Sequence, residues 1–231
     1  MSTMQTAKGD LLVREAMHFS RDFLGVSGAL FYWVDRRRQE MQVLETLDVP
    51  PGFLEQYRRG MQPFDPMCVS RMLARHDSVG VLSIARESQN RAEMRHYQGY
   101  LDTYGVLDTV DLMFWGEHAA FGGIGFLRTL GDPPIKVDTT GLVALQRLLQ
   151  ASFSAHPHVR QLQLEQRLDA CGLSVRERQV AALIGAGASN REIAEAMNIT
   201  LATAKTYVVR IFEKLNIDSR TALVAFMGQL N

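Results

Sequence analysis

Five side chains close to the C-terminus combine hydrogen-bonding, cationic and apolar groups on one predicted helix face. A lysine donates hydrogen bonds to guanine acceptors or to phosphates, a threonine bonds a base edge or touches a thymine methyl, and a valine makes only apolar contact. These side chains lie off the apolar stripe that recurs at helical spacing through the same segment. They are Thr203, Lys205, Thr206, Val209 and Arg210. The combination is typical of a helix that reads base edges in a nucleic acid.

Further cations surround that face in the sequence. They are spaced to reach phosphates, with help from the amide groups in the first turns of capped helices. These cations are Arg178, Arg191, Lys214 and Arg220. Thr200 stands where its hydroxyl caps the helix that carries the face. Plain solvent exposure is the alternative reading for Lys205 and Thr206, and the motif around them favours DNA contacts instead.

Two capping boxes predict the helices that position these side chains. Ser174-Val-Arg-Glu177 opens one helix and Ser189-Asn-Arg-Glu192 opens a second, so Glu177 and Glu192 are interpreted as caps and internal ion-pair partners. Only Asn198-Ile199 separates the second helix from a third, and a fourth begins near Asp218. Two helices joined by so short a turn cross steeply, as in a helix-turn-helix, whose second helix enters the major groove.

Four stretches in the last quarter of the chain resemble the LuxR/NarL-type DNA-binding domain nearly end to end. They are residues 173–180, 187–194, 203–205 and 214–215. Ala204 stands where that family usually has valine, and Tyr207 where histidine is common. The resemblance implies an all-α, four-helix helix-turn-helix domain at 172–231, whose fourth helix pairs two such domains. It also places Lys205, Thr206 and Val209 at base-facing positions.

The first 154 residues alternate between helical and extended patterns. Helical spacing at 11–24 and again at 142–153 encloses two predicted strand pairs. The pairs are 29–34 with 41–47, and 106–115 with 119–130. This order favours an antiparallel sheet with helices on its faces, an α/β/α sandwich of the PAS or GAF kind. The predicted fold class is therefore α+β, with this sandwich at 1–154, a polar linker at 155–171 and the all-α domain at 172–231.

Prolines predict short helices between the two strand pairs. Pro50-Pro51 opens one helix through Tyr57, and Asp65-Pro66 opens another through Ala74, with proline at the first helical position. Residues 79–84 fit either a strand or a loop. An Asp before such a proline is commonly a helix N-cap.

The same region resembles the autoinducer-binding domain of quorum-sensing regulators. Phe53-Leu-Glu-Gln-Tyr57 and Phe64-Asp-Pro66 match that family's W-x-x-x-Y…D-P signature, and the glycines of 122–125 match its last strands. The resemblance implies that Tyr57 and Asp65 hold an acylated lactone, with the carboxylate taking the ligand's amide N–H. Phe53 replaces the tryptophan that donates to the lactone carbonyl, so an acyl-homoserine lactone and another amphipathic small molecule both stay open.

Aromatic side chains on the predicted strands are further candidates for the wall of a binding cavity. Trp33 and Trp115 are included among the predicted ligand-binding residues for that reason, although strand aromatics usually fill the core. A tyrosine in such a position is more often a half-buried core residue than a ligand contact, and both interpretations of Tyr57 stay open. The predicted ligand site therefore comprises Phe53, Tyr57, Asp65, Trp33 and Trp115.

Composition and charge exclude several classes of protein. The chain has 231 residues, 46% of them hydrophobic, with 25 Lys+Arg and 25 Asp+Glu, which excludes a disordered chain. The neutral total conceals a net +2 over 171–231 and a net −2 over the rest. Two cysteines in no CxxC pattern, no secretory leader and no apolar run of about 18 residues predict a cytoplasmic protein without a membrane span.

These features together predict a one-component transcription regulator that acts as a dimer on a palindromic site and responds to a small molecule. No nucleophile–base pair, carboxylate dyad or metal-ligand cluster stands out, so neither an enzyme nor a cofactor or metal is expected. The expected partners are double-stranded DNA, a small-molecule ligand and a second copy of the chain, and RNA polymerase is left open. The alternative is an anti-activator that forms mixed dimers with related regulators and needs no ligand.

Overall fold

The computed structural model describes residues 2–35, 37–117 and 119–228, and the chain divides into two compact units. The first unit is Met1–Pro157 and the second is His158–Asn231. The division falls inside the stretch predicted as a linker, 155–171, most of which is the helix Pro157–Ala170. Each unit has a buried apolar cluster of its own.

An antiparallel sheet forms the centre of the first unit. Its strands are β1 (Gly28–Asp35), β2 (Glu40–Leu47), β3 (Val79–Val81), β4 (Val106–Trp115) and β5 (Ala120–Thr129). Their order across the sheet is β2-β1-β5-β4-β3. The two predicted strand pairs both form, β1 with β2 and β4 with β5. Nearly every residue of β1 and β5 is buried, which is expected of central strands covered on both faces.

Helices cover both faces of this sheet. They are α1 (Ser2–Leu24), α2 (Phe53–Gln56), α3 (Val69–Arg75), α4 (Leu82–Ala85), α5 (Arg91–Thr103) and α6 (Thr139–Ser154). On one face, Phe153 of α6 packs against Phe31 at 5.2 Å and Phe114 at 5.1 Å between ring centroids. On the other face, Phe53 of α2 stacks on Tyr100 of α5 at 4.9 Å. The predicted α/β/α sandwich is confirmed.

A close approach across the sheet explains one of the glycines of β5. Tyr32 of β1 is the register partner of Gly123, and both residues are buried. A Cβ at Gly123 would lie 2.5 Å from the Tyr32 hydroxyl and 2.8 Å from the Leu112 carbonyl oxygen. Only glycine lets the Tyr32 side chain lie flat across the sheet here.

The segment between the strand pairs differs from its prediction. Asp65-Pro66 does not open a helix, because the Asp65 carboxylate accepts a hydrogen bond from the Met67 amide at 2.8 Å and closes a turn instead. Helix α3 begins four residues later than Asp65, at Val69, with Cys68 as its N-cap. The stretch predicted as strand or loop at 79–84 contains both the strand β3 and the start of α4.

The second unit is all helical. Its helices are α7 (Pro157–Ala170), α8 (Val175–Gly185), α9 (Asn190–Met197), α10 (Leu201–Leu215) and α11 (Arg220–Gly228). Both predicted capping boxes form at Ser174 and Ser189. Val180, Ile184 and Ile211 lie in a common buried cluster. Among the residues described in the two units, no helix is long and apolar enough to span a membrane.

Candidate nucleic-acid interface and buried cavity

The turn between α9 and α10 has the geometry that a helix-turn-helix requires. Asn198 closes α9 in the left-handed region with φ of 52°, and the Ile199 amide returns to the Ala194 carbonyl at 2.9 Å. Asparagine tolerates this conformation, so the chain reverses within two residues. Thr200 then caps α10 by accepting the Thr203 amide at 3.1 Å. Only three residues therefore separate the end of α9 from the start of α10, the short connection that is typical of a helix-turn-helix.

The predicted reading face of α10 is exposed to solvent. Val209 is 54% exposed, which is unusual for a valine on a helix with a buried apolar stripe available. The exposed side chains of this face are Thr203, Lys205, Thr206, Val209 and Arg210. Two threonine hydroxyls already have intramolecular contacts, Thr203 with the Thr200 hydroxyl at 2.8 Å and Thr206 with the Ala202 carbonyl at 3.0 Å. The face therefore offers cationic and apolar groups to a ligand. Its two hydroxyls have internal partners, Thr206 along the helix and Thr203 at the cap.

Lys214, one of the predicted phosphate contacts, is engaged inside the domain. Its Nζ donates to Glu177 Oε2 at 2.7 Å and to the Gly172 carbonyl at 2.9 Å, and Glu177 is only 3% exposed. Burial alone would raise the pKa of Glu177, but the hydrogen bonds from Lys214 and Ser174 outweigh it and lower the pKa. The carboxylate therefore ties α8 to α10, in line with the interpretation of Glu177 as a cap and ion-pair partner.

Arg178 and Arg220 make similar internal contacts. Arg178 donates to the Leu173 carbonyl at 2.8 Å and pairs with Asp169, and Arg220 donates to the Ala188 carbonyl and to Asn190. Among the described residues of α9 and α10, three exposed cations have neither an ion pair nor a side-chain hydrogen bond. These are Arg191, Lys205 and Arg210. The surface available to phosphates is thus smaller than the sequence suggested.

In the first unit, a cavity lies between the sheet and the helical layer that contains α2 and α5. Its volume is about 50 Å³. Three tyrosines, two aspartates and a threonine give its wall polar groups, and the remaining lining residues are mainly apolar. The polar lining residues are Tyr32, Tyr57, Asp65, Tyr97, Thr109 and Asp111. Three of the five residues predicted to bind a ligand, Phe53, Tyr57 and Asp65, also line it.

Asp65 is held in place by its own domain. Its Oδ2 accepts the Tyr57 hydroxyl at 2.8 Å, its Oδ1 accepts the Met67 amide, and the residue is 7% exposed. Burial raises the pKa of Asp65, and hydrogen bonds from Met67, Tyr57 and Tyr97 oppose that rise. The residue is therefore a turn-forming carboxylate that also orients Tyr57, and its predicted hydrogen bond to a ligand's N–H stays a prediction.

Phe53 contributes an aromatic wall and no hydrogen-bond donor. Its ring stacks on Tyr100 and meets Tyr104 edge-on at 5.5 Å, and its backbone carbonyl accepts the Tyr100 hydroxyl at 2.8 Å. These contacts fix α2 against α5. The position keeps the shape of a binding wall but has no group for a lactone carbonyl.

The two tryptophans predicted as ligand contacts do not line the cavity. Trp33 lies on the opposite face of β1, where its ring meets Phe31 at 4.7 Å. Trp115 donates its indole N–H to the Asp77 carbonyl at 3.3 Å and stacks on His76 at 5.1 Å. Strand alternation explains Trp33, because residues one apart point to opposite faces of the sheet. Neither tryptophan lines the cavity, although Trp115 packs against the core cluster to which several cavity residues belong.

Asp111 is one of four polar cavity residues that sequence reasoning missed, together with Tyr32, Tyr97 and Thr109. It lies in the middle of β4, on the same face as Thr109 and two positions from it, opposite Gly125 in the register. A carboxylate on the inward face of a central strand is rare unless paired. Alternation along 106–115, counted from Met113, would have shown that Asp111 faces the same side as Thr109. That signal was present in the sequence.

Comparison with known proteins identifies the second unit. Residues 172–227 match the family described as "Bacterial regulatory proteins, luxR family". These residues include both capping boxes and the exposed face of α10. Residues 172–227 therefore form a luxR-family helix-turn-helix DNA-binding domain.

Individual similar proteins differ in how much of the chain they match. The monoamine regulon transcriptional regulator of Klebsiella aerogenes is 25% identical over 224 residues, 96% of this chain and 92% of that protein. The response regulator protein VraR of Staphylococcus aureus is 44% identical over 59 residues, 26% of this chain and 28% of that protein's length. The crystal structure of Escherichia coli SdiA aligns with 15% identity and a TM-score of 0.47, covering 95% of this chain and 90% of SdiA.

Proposed function

We propose that this chain is a one-component regulator that binds a palindromic DNA site as a dimer. Its affinity for that site changes when a small molecule occupies the cavity of the first unit. The observation that carries the proposal is the presence in one chain of an exposed reading face on α10 and a polar, partly closed cavity in the other unit. The Klebsiella aerogenes relative is likewise named as a transcriptional regulator.

The reading face supports binding to base edges. Lys205 and Arg210 can donate to guanine acceptors or phosphates, and Val209 can contact a thymine methyl. Their side chains are exposed, and α10 is held by Thr200 at its first turn and by Lys214 at its last. The helix is therefore rigid while its outward side chains stay available.

The small number of available cations supports a dimer. Each subunit presents Arg191, Lys205 and Arg210 as exposed cations from α9 and α10. Three phosphate contacts give weak binding because each neutralised phosphate contributes only modestly at physiological salt. Two subunits on two half-sites double that number and read a palindrome.

The test is selection of a binding site from random duplexes with the full-length protein, followed by footprinting with and without small molecules extracted from the protein. We expect two protected half-sites about one helical turn apart, and a change in protection when the extract is restored. An anti-activator that only sequesters related regulators would protect no specific site. Protection that never responds to the extract or to added small molecules would contradict ligand control but not DNA binding.

A further inference from the structure

We propose that the ligand of the cavity is a small organic cation, a protonated amine on a compact apolar or aromatic body, with Asp111 as its counter-ion. This rests on the proposed function, since it names the chemical class of the ligand that the regulator would sense. It differs from the acylated lactone implied by sequence resemblance, because the recognised group is a positive charge and the recognising residue lies on β4.

Asp111 supplies an anionic group that its own domain does not use. Asp111 is partly buried, its carboxylate lies over Gly125, and the residue lines the cavity. Among the described residues, none donates a hydrogen bond to this carboxylate or forms an ion pair with it. A buried carboxylate without a partner is expensive, so such groups are normally paired or bind a cation.

Gly125 makes the space that the Asp111 carboxylate occupies. A Cβ at this position would lie 3.0 Å from Asp111 Oδ1 and 3.4 Å from Leu30 Cγ, which is tight contact. The two residues are paired in the β4–β5 register. The carboxylate therefore lies against the backbone of the sheet with one side covered and the other side turned to the cavity.

No cation of the domain reaches this carboxylate from the cavity side. Among the described residues that line the cavity there is no lysine, arginine or histidine. Arg71 influences Asp65 electrostatically, whereas the charge that acts on Asp111 is the second carboxylate, Asp65, of the same sign. When ionised, two aspartates in one cavity give it a negative potential, which attracts a cation and repels an anion.

The aromatic wall suits the same class of ligand. Tyr32, Tyr57 and Tyr97 line the cavity together with Phe53. Aromatic faces attract ammonium groups, most strongly where water is excluded. A carboxylate together with several rings is a common arrangement around an amine, because it supplies one strong hydrogen-bond acceptor and a surface that tolerates charge.

The size of the cavity favours a small ligand. Sites for drug-sized ligands measure roughly 300–1,000 Å³, whereas this cavity measures about 50 Å³. A long acyl chain would need the helical layer to move away from the sheet. A short amine needs little or no such movement.

The test uses the full-length protein, thermal unfolding and a matched pair of probes, isobutylamine and its uncharged counterpart isobutanol. We expect millimolar isobutylamine to raise the Tm by about 3 °C, since a ligand that binds only the folded state stabilises it by mass action. Isobutanol is expected to leave the Tm unchanged. A short lactone, N-butanoyl-homoserine lactone, is included as a third probe.

Asp111→Asn removes the charge and keeps the shape, and we expect it to abolish the response to isobutylamine. Asp102→Asn is the matched control, because Asp102 is an exposed carboxylate on α5 outside the cavity, and its response is expected to equal that of the unmodified protein. If Asp111→Asn does not fold, the comparison of isobutylamine with isobutanol on the unmodified protein still decides the question.

Three outcomes would overturn the inference. Equal stabilisation by isobutanol or by the lactone would show that charge is not recognised, and would leave a ligand-responsive regulator standing. An amine response that survives in Asp111→Asn would place the amine elsewhere. No shift with isobutylamine, together with specific DNA protection that an uncharged extract modulates, would refute the amine while supporting the proposed function.

Discussion

At the scale of single residues, Asp111 opposes folding in the absence of a ligand. Burial raises the pKa of this carboxyl well above its usual value, and Asp65 raises it further. An acid whose pKa is raised in the folded state lowers stability as pH rises from the unfolded pKa, near 4, through the folded pKa. Residues that serve binding commonly reduce stability in this way.

We therefore expect Asp111→Asn to stabilise the ligand-free protein at neutral pH by about 1 kcal/mol or more, because the neutral amide removes the cost of ionising a buried acid. The gain should shrink as pH falls toward 4, where the acid is protonated in both folded and unfolded states. Urea denaturation from pH 4 to pH 8 measures it, with Asp102→Asn as the control. A loss of stability at pH 7 would show that Asp111 has a stabilising partner.

Lys214 differs from Asp111 in that its charge is expected to stabilise the fold. Lys214→Ala leaves Glu177 buried beside Ser174 without its cation, and we expect a loss of about 1–3 kcal/mol, reduced from the fully buried case because Lys214 is partly exposed. The pKa of Glu177 is lowered, so this contribution is present above its unfolded pKa and disappears as pH falls through the folded value.

Urea denaturation at pH 7 and pH 3 measures the loss in Lys214→Ala, which should be large at the first pH and small at the second. The double variant Lys214→Met with Glu177→Gln should recover part of it. If Lys214 acted only on DNA phosphates, its replacement would leave unfolding unchanged at both pH values.

At the scale of elements, α10 carries the reading face, and that assignment has its own test. Lys205→Ala should abolish retardation of the selected DNA site and leave the melting transition nearly unchanged, because Lys205 is exposed and makes no internal contact among the described residues. Lys136→Ala removes one exposed lysine from the first unit and is the charge-matched control. Intact binding by Lys205→Ala would show that α10 docks differently.

Elements also show what the sequence could predict. The capping boxes at Ser174 and Ser189 and the strand pairs around β1 and β5 follow from local patterns, and both were confirmed. The predicted start of α3 at Asp65 was wrong, because the Asp65 carboxylate accepts the Met67 amide and no helical first turn forms there. Local sequence does not distinguish a cap from such a turn, since both use the same carboxylate to bind a nearby amide.

The two candidate sites were predictable from the sequence to different degrees, because one lies on a single helix and the other is assembled from several elements. The reading face of α10 follows from spacing on one helix, so its exposure matched the prediction. The cavity is assembled from β1, β4, β5 and the helices around 53–65, and only the tertiary structure shows that Trp33 points away and that Asp111 points in. The internal contacts of two predicted phosphate-binding residues were also not visible in the sequence. Lys214 contacts Glu177, which is distant along the chain, and Arg178 contacts Asp169 of α7.

At the scale of the whole molecule, the number of phosphate contacts that a dimer makes sets how DNA affinity depends on salt. If only Arg191, Lys205 and Arg210 of each subunit contact phosphates, a dimer makes six contacts, and log K against log salt should have a slope of about −5. If Arg178 and Lys214 also contacted phosphates, the slope would approach about −9. The Kd for the selected site is measured from about 50 to about 300 mM salt, in steps of roughly tens of millimolar. The slope of log K against log salt then distinguishes six phosphate contacts from ten.

In the proposed function, occupancy of the cavity in the first unit changes DNA binding by the second. The most direct measurement is the Kd of the full-length protein for its selected palindromic site after bound small molecules have been removed, and again after the extract has been restored. We predict a change of at least about fivefold, the lower end of typical coupling between two sites. An identical Kd before and after the extract is restored, with the extract shown to bind the protein, would contradict this coupling between the cavity and DNA binding.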